Sequence, residues 1–338
     1  MKKRACYCLW IFPLLFVSFS GTTQQNNYTQ WNHTSLLINP AFNGFYNNNM
    51  RFSSIYRGVN DQGIPGQQSF QFNFEAKPFQ SLLVNDLDEW SIGITANRFS
   101  AVKTMFSHSM FALTTAYSKS LNENGTHSLA LGFQAAMHSQ KVNLNNLDFT
   151  SQFSVRGFDR MLPNFEASQN YNNNYLDLNA GILYSFGNEY ETFFAGLGAH
   201  QLNRVRRELS VDPKFNPVLD LSLGYTRYIN DRYVFNAAGN FNFNYPVNNQ
   251  VIMLGFGTTI SELSDDLLTA GLYYRFDAIA SPFLQFQTNG MKMTFSYDTY
   301  ASPKISGVGD RRALELSLAF RFSSKDYSVR YAKLDCFK

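Results

Sequence analysis

The chain has 338 residues, 44% of them hydrophobic and 16% aromatic, with a slightly negative mean hydropathy. After the first twenty residues no apolar run approaches the roughly 20 residues of a membrane-spanning helix, so only strands could carry this chain across a bilayer. The formal charge of +3 rests on Lys2, Lys3 and Arg4; without them 25 basic residues balance 25 acidic ones, which removes any electrostatic case for nucleic acid.

Lys2, Lys3 and Arg4 precede an apolar run from Ala5 to Phe19, followed by small and polar residues. This order predicts a secretory signal peptide over residues 1–23, cleaved between Gly21 and Gln24. Cys6 and Cys8 lie inside the apolar run, too early for a lipoprotein site, and cleavage leaves Cys336 alone, so no intramolecular disulfide is expected. Residues 24–49 form a lead-in segment containing Asn39, Pro40, Ala41 and Gly44. Proline fixes φ and glycine permits a tight reversal, so this stretch either folds back as a lumen plug or serves as a structural lead-in to the first strand.

Residues 50–322 divide into fourteen stretches of about ten residues in which apolar and polar side chains alternate, the period of a membrane β-barrel. In the last, Leu314, Leu316, Leu318, Phe320 and Phe322 share one face while Glu315, Ser317, Ala319 and Arg321 share the other. The strands are predicted to begin near Met50, Ser69, Trp90, His108, His127, Tyr175, Tyr190, Val218, Tyr233, Val251, Leu267, Ala278, Met291 and Arg312. Short polar connections fall at 118–126, 186–189, 229–232, 261–266 and 288–290, on the side expected to face the periplasm. Lys77 to Glu89 is longer than this pattern expects and is where a further strand would hide. Long segments at 139–174, 202–217 and 299–311 fall on the opposite, outer side. A secreted β-sandwich is the competing fold, but it has no reason to sort its loops this way.

The polar face would carry Gln71, Asn73, Glu75, Asp177, Asn179, Asp220, Asn236, Asn240, Asn242, Arg275, Lys292, Asp298, Glu315 and Arg321 inward. In a dry sandwich core each unpaired group would cost about 1–3 kcal/mol, whereas a barrel lumen has room for water and a plug.

Signals for chemistry are sparse. His33, His108, His127, His138 and His200 show no metal-ligand spacing, and no Gly-x-Ser-x-Gly element is present, so neither enzyme activity nor a cofactor is expected. A barrel lipase or protease would need a Ser/His or Asp/His constellation on one rim, where His108 and His138 could stand. Asn143, Asn145, Asn146 and Asp148 lack EF-hand spacing and read as a solvated loop, and Arg204, Arg206 and Arg207 read as a solvated outer face that could meet lipopolysaccharide phosphates.

Tyr28-Thr29-Gln30-Trp31, then Leu36 to Gly44 with its Asn-Pro-Ala, then Tyr56-Arg57, together resemble the N-terminal signature of the PorP/SprF family of type IX secretion system proteins. The resemblance extends to Phe194-Ala195-Gly196-Leu197-Gly198, Tyr274-Arg275, Ser296-Tyr297-Asp298 and Leu314 to Leu318 with Phe320 and Phe322. Gly58-Val59 and Leu314 depart from the family pattern, which commonly has Gln-Trp and His there. The final strand also resembles the recognition signal of outer-membrane assembly machinery, through Glu315, Ser317, Phe320 and Phe322, although a tail at 323–338 ending in Asp335-Cys336-Phe337-Lys338 follows it. The resemblance implies a non-enzymatic outer-membrane barrel, surrounded by outer-membrane lipid and other type IX components. Such a barrel helps to export, or hold at the surface, a large partner with a C-terminal sorting domain, such as a gliding adhesin or an effector. An alternative is a transporter similar to the long-chain fatty-acid channels, which share fourteen strands, an N-terminal plug and an Asn-Pro-Ala element. A general porin is a third reading, disfavoured by the lead-in segment.

Overall fold

The computed structural model describes residues 28–61, 64–80, 83, 85–101, 106–143, 150–154, 157–159, 161–162, 171–203, 217–230, 232–243, 249–261, 264–288, 290–300 and 312–322. The expected signal peptide 1–23, the tail 323–338, Asn145, Asn146, Asp148, Arg204, Arg206 and Arg207 lie outside these residues.

Period-two alternation produces the strands that it predicts. In chain order they are β1 Met50–Asp61, β2 Ile64–Ala76, β3 Glu89–Ala101, β4 Phe106–Ser120, β5 His127–Val142, β6 Phe153–Ser154, β7 Gly157–Phe158 and β8 Tyr171–Gly187. Then follow β9 Glu191–His200, β10 Val218–Tyr228, β11 Tyr233–Phe243, β12 Asn249–Ser261, β13 Ser264–Arg275, β14 Ile279–Gln287, β15 Met291–Tyr300 and β16 Arg312–Phe322. Among the described residues the two short strands β6 and β7 pair only with each other. The other fourteen close into one antiparallel barrel, sealed by β1 against β16 from Met50↔Phe322 to Asn60↔Arg312. Closure leaves no unpaired sheet edge, which a bilayer would not tolerate.

Along β3, Glu89, Ser91, Thr95 and Asn97 are buried while Trp90, Ile92 and Ile94 are exposed; along β16, Ala313, Glu315 and Ser317 are buried while Leu314, Leu316 and Phe322 are exposed. The apolar residues therefore face outward and the polar ones inward, the reverse of a water-soluble barrel and the arrangement that lipid selects. Outward aromatics associate across strands, as Phe52 does with Phe72 at 4.5 Å between ring centroids.

Residues 77–88, 121–126, 188–190, 229–232, 262–263 and 288–290 connect strands at the end where β1 begins and β16 stops, here the terminus end. The strand ends at Val142 and Tyr171, at His200 and Val218, and at Tyr300 and Arg312 lie at the opposite, loop end. No strand occurs among the described residues between Lys77 and Glu89; the two instead form a buried salt bridge of 3.1 Å. Two elements run longer than expected. The β5 and β8 ladder continues to Val142↔Tyr171, because backbone pairing carries it through Asn172, Asn173 and Asn174 where side-chain alternation has ended. Strand β2 begins at Ile64 and forms a tight hairpin with β1.

Candidate functional site

Residues 28–49 run inside the barrel from its loop-side half to the terminus end, with two short 3-10 turns at Trp31–Leu37 and Pro40–Phe42. Strands β13 to β16 and β1, which are neighbours in the wall, anchor the beginning of this segment. The amides of Thr29 and Gln30 donate to the two oxygens of Glu315, each at 2.8 Å. Arg57, opposite Glu315 in the register, pairs with Glu315 and with Asp298, the latter at 2.7 Å. Asp298 also accepts from the Ser281 hydroxyl at 2.6 Å and from the Thr29 hydroxyl at 3.1 Å, and the Arg275 guanidinium stands 3.8 Å away. Two buried carboxylates are tolerable here because guanidinium groups and directed hydrogen bonds replace the water they have lost.

The middle of the segment is positioned by shape and by single hydrogen bonds. Tyr273 donates to Asn32 at 2.8 Å, and His33 and Thr294 bond at 3.0 Å. The Asn39 side chain accepts from the Ala41 amide at 2.8 Å, capping the Pro40 turn, and donates to the carbonyl of Ile182 at 3.0 Å. His200 donates to the carbonyl of Ile38 at 2.7 Å. Glycines on β5, β8 and β9 make the approach possible. A Cβ at Gly132, Gly181 or Gly198 would overlap the Pro40–Ala41 backbone, the Asn39 amide or the Ile38 carbonyl, and at Gly196 it would stand 2.8 Å from Asn39 Nδ2.

The end of the segment is fixed again by charge. Gly44, at φ +77, donates its amide to Glu75 at 3.1 Å and turns the chain where a Cβ would meet Ser91 at 2.6 Å. Lys77 binds the Tyr46 carbonyl and sits 4.5 Å from the centre of its ring, while Arg51 lies 4.9 Å from the same ring. Phe42, Phe45 and Phe194 pack edge to face, with centroids 5.4 to 5.9 Å apart. Beside them, between the segment and β3, β4, β5 and β8, a cavity of about 10 Å³ remains, room for no more than a single water. A far larger concavity, about 820 Å³, opens on the outward wall around Phe74, Ile92, Ile94, Leu113, Phe133 and Leu178, where acyl chains would lie.

Asn39, Pro40, Ala41 and Gly44 are thus buried in the lumen, and so are the inward Glu315 and Ser317, while Phe320 and Phe322 turn outward. Lys77, Glu75 and Glu89 hold the segment without having been singled out as a group, and the apolar cluster around Phe194 was unexpected in a polar lumen. The inward phase of β9 runs Thr192, Phe194, Gly196, Gly198; a large ring beside two glycines was the available signal that something packs there.

The sequence profile of type IX secretion system membrane protein PorP/SprF matches residues 20–320. The chain belongs to the PorP/SprF family. It is therefore a type IX secretion system membrane β-barrel, and its motif residues Arg57, Arg275, Asp298 and Glu315, dispersed along the sequence, meet at one point. No curated protein matches the sequence. Among solved structures, the fold is similar to the Ralstonia pickettii toluene transporter TbuX, with TM-score 0.51, 9% identity, and 85% of this chain and 93% of that one covered. It is also similar to the CymD monoaromatic hydrocarbon channel, with TM-score 0.50, 11% identity and coverage of 86% and 93%. At such identities these likenesses speak for the barrel architecture of this PorP/SprF protein alone.

Proposed function

We propose that this PorP/SprF barrel resides in the outer membrane after signal-peptide cleavage and assists the export or surface anchoring of a large secreted protein with a C-terminal sorting domain, without catalysing a reaction. The observation that carries this reading is the lumen segment, anchored at Glu315, at the glycine cradle and at Lys77. A barrel so filled serves poorly as a diffusion path and well as a rigid pedestal for a partner held at its loop end. Residues 24–49 then act as a plug, and Glu315, Ser317, Phe320 and Phe322 keep their role as the assembly signal. A gliding adhesin is one partner of the required kind.

The transporter reading would need a ligand-sized apolar chamber inside the barrel. Among the described residues the cavity beside Phe42 and Phe45 is water-sized and the large apolar concavity around Phe133 lies on the lipid side of the wall, so neither is such a chamber. Deleting the gene and comparing surface and culture-fluid proteins tests the choice. Loss from the surface of a large protein carrying a sorting domain is expected; an unchanged surface proteome with slowed uptake of hydrophobic solutes would overturn the proposal.

A further inference from the structure

The β4–β5 register brings together two histidines that stand thirty positions apart in the chain. His108 Nε2 and His138 Nδ1 are 2.9 Å apart, and the rings lie within 6° of coplanar orientation. On its other side His138 Nε2 is 3.1 Å from Asp177 Oδ2 on β8. The Tyr175 ring stacks on His138 with centroids 4.7 Å apart and planes 7° apart, so the imidazole is fixed in orientation by β8 from two directions. His138 and Asp177 are buried, His108 is half-buried near the start of β4, and all three side chains belong to the inward phase at the loop end. The hydrogen bonds and ion pairs described above for the lumen segment use other side chains.

We infer that His108 and His138 form a binding site for a divalent transition cation of the zinc or copper kind, with Asp177 as the carboxylate that orients one ligand. Asp177 settles the tautomer, because His138 must carry its hydrogen on Nε2 to donate to the carboxylate, which leaves the Nδ1 lone pair aimed at His108. A carboxylate on the far nitrogen of a ligating imidazole is the usual second contact of protein metal sites, where it fixes the ring and raises its basicity. Nitrogen ligands at 2.0–2.1 Å in tetrahedral arrangement stand about 3.3 Å apart with the ion off the line between them, so the half-buried His108 ring must swing aside to admit it. His108 moves its hydrogen from Nε2 to Nδ1 and presents a second lone pair. Two imidazoles leave coordination positions open at the mouth of the lumen, to be filled by water or by a donor from outside. Among the described residues no group of three or more His, Cys, Asp or Glu side chains could hold a metal ion, so His108 and His138 alone would supply the protein ligands.

The test uses the full-length barrel in detergent with its affinity tag removed. Zn²⁺ is titrated calorimetrically at pH 7.5, and Cu²⁺ is followed by electron paramagnetic resonance. One saturable equivalent is expected, with two nitrogen ligands in the copper spectrum. It should be lost in His108→Ala and His138→Ala, and weakened about 10–100-fold in Asp177→Asn. Heat-modifiable mobility on gels shows that each variant has kept its barrel. No saturable binding to the wild type, or binding that survives the His108→Ala/His138→Ala double variant, would overturn the assignment.

Discussion

Glu315 and Arg57 face each other across the β1–β16 seam, and the same carboxylate takes the amide hydrogens of Thr29 and Gln30 at 2.8 Å each. One ion pair thus joins the last strand, the first strand and the lumen segment. Removing one partner of a buried pair costs about 3–5 kcal/mol, because the other is left in low dielectric without compensation. Glu315→Gln is expected to lower the unfolding temperature and to accelerate hydrogen exchange at residues 29 and 30, whereas Glu123→Gln, on an exposed turn, changes neither. Unaltered exchange at those two amides would mean that the carboxylate does not hold the segment.

Gly198 is glycine because the Ile38 carbonyl occupies the place of its Cβ. Forcing a methyl group into such a contact costs about 1–3 kcal/mol and displaces whichever side yields more easily. The barrel wall is bound by strands on both sides, so the segment should yield. Gly198→Ala is expected to expose residues 36–43 to protease in folded barrels, while Gly290→Ala, whose Cβ would make an ordinary 3.6 Å contact, leaves them protected. Equal protection in both variants would count against the cradle.

A plugged lumen has an electrical signature. In planar bilayers the intact barrel is expected to show little or no steady conductance, and removal of residues 24–46 to raise it severalfold. Residues 47–49 are kept because the Asn49 amide bonds the Phe322 carbonyl at the seam. Gly198→Ala should produce an intermediate rise, an outcome that does not depend on the truncated chain folding. Conductance unchanged in both would remove the plug from the account.

The wall of this barrel follows from local rules. A period of two placed Phe70, Phe72 and Phe74 outward and Gln71, Asn73 and Glu75 inward, and the length contrast between connections assigned the two ends. What those rules do not contain is closure. Arg57 and Glu315 are separated by more than two hundred residues, and only the β1–β16 register sets them opposite each other. Arg57, Arg275, Asp298 and Glu315 could therefore be recognised one by one as motif residues, but not as a single cluster. The path of residues 28–49 was open for the same reason: Asn39, Pro40 and Gly44 announce turns, and the glycines that receive those turns lie on β5, β8 and β9. His108 and His138 show the limit most plainly, since their meeting depends on a hairpin register that side-chain alternation leaves free to shift by two.

We propose that this barrel works on a protein and not on a small hydrophobic solute. Affinity isolation of the tagged barrel from detergent-solubilised outer membranes, followed by mass spectrometry of what travels with it, tests it most directly. Recovery of a large secreted protein, held through its C-terminal sorting domain, is the predicted result; a barrel that is reproducibly alone and carries only lipid would contradict it.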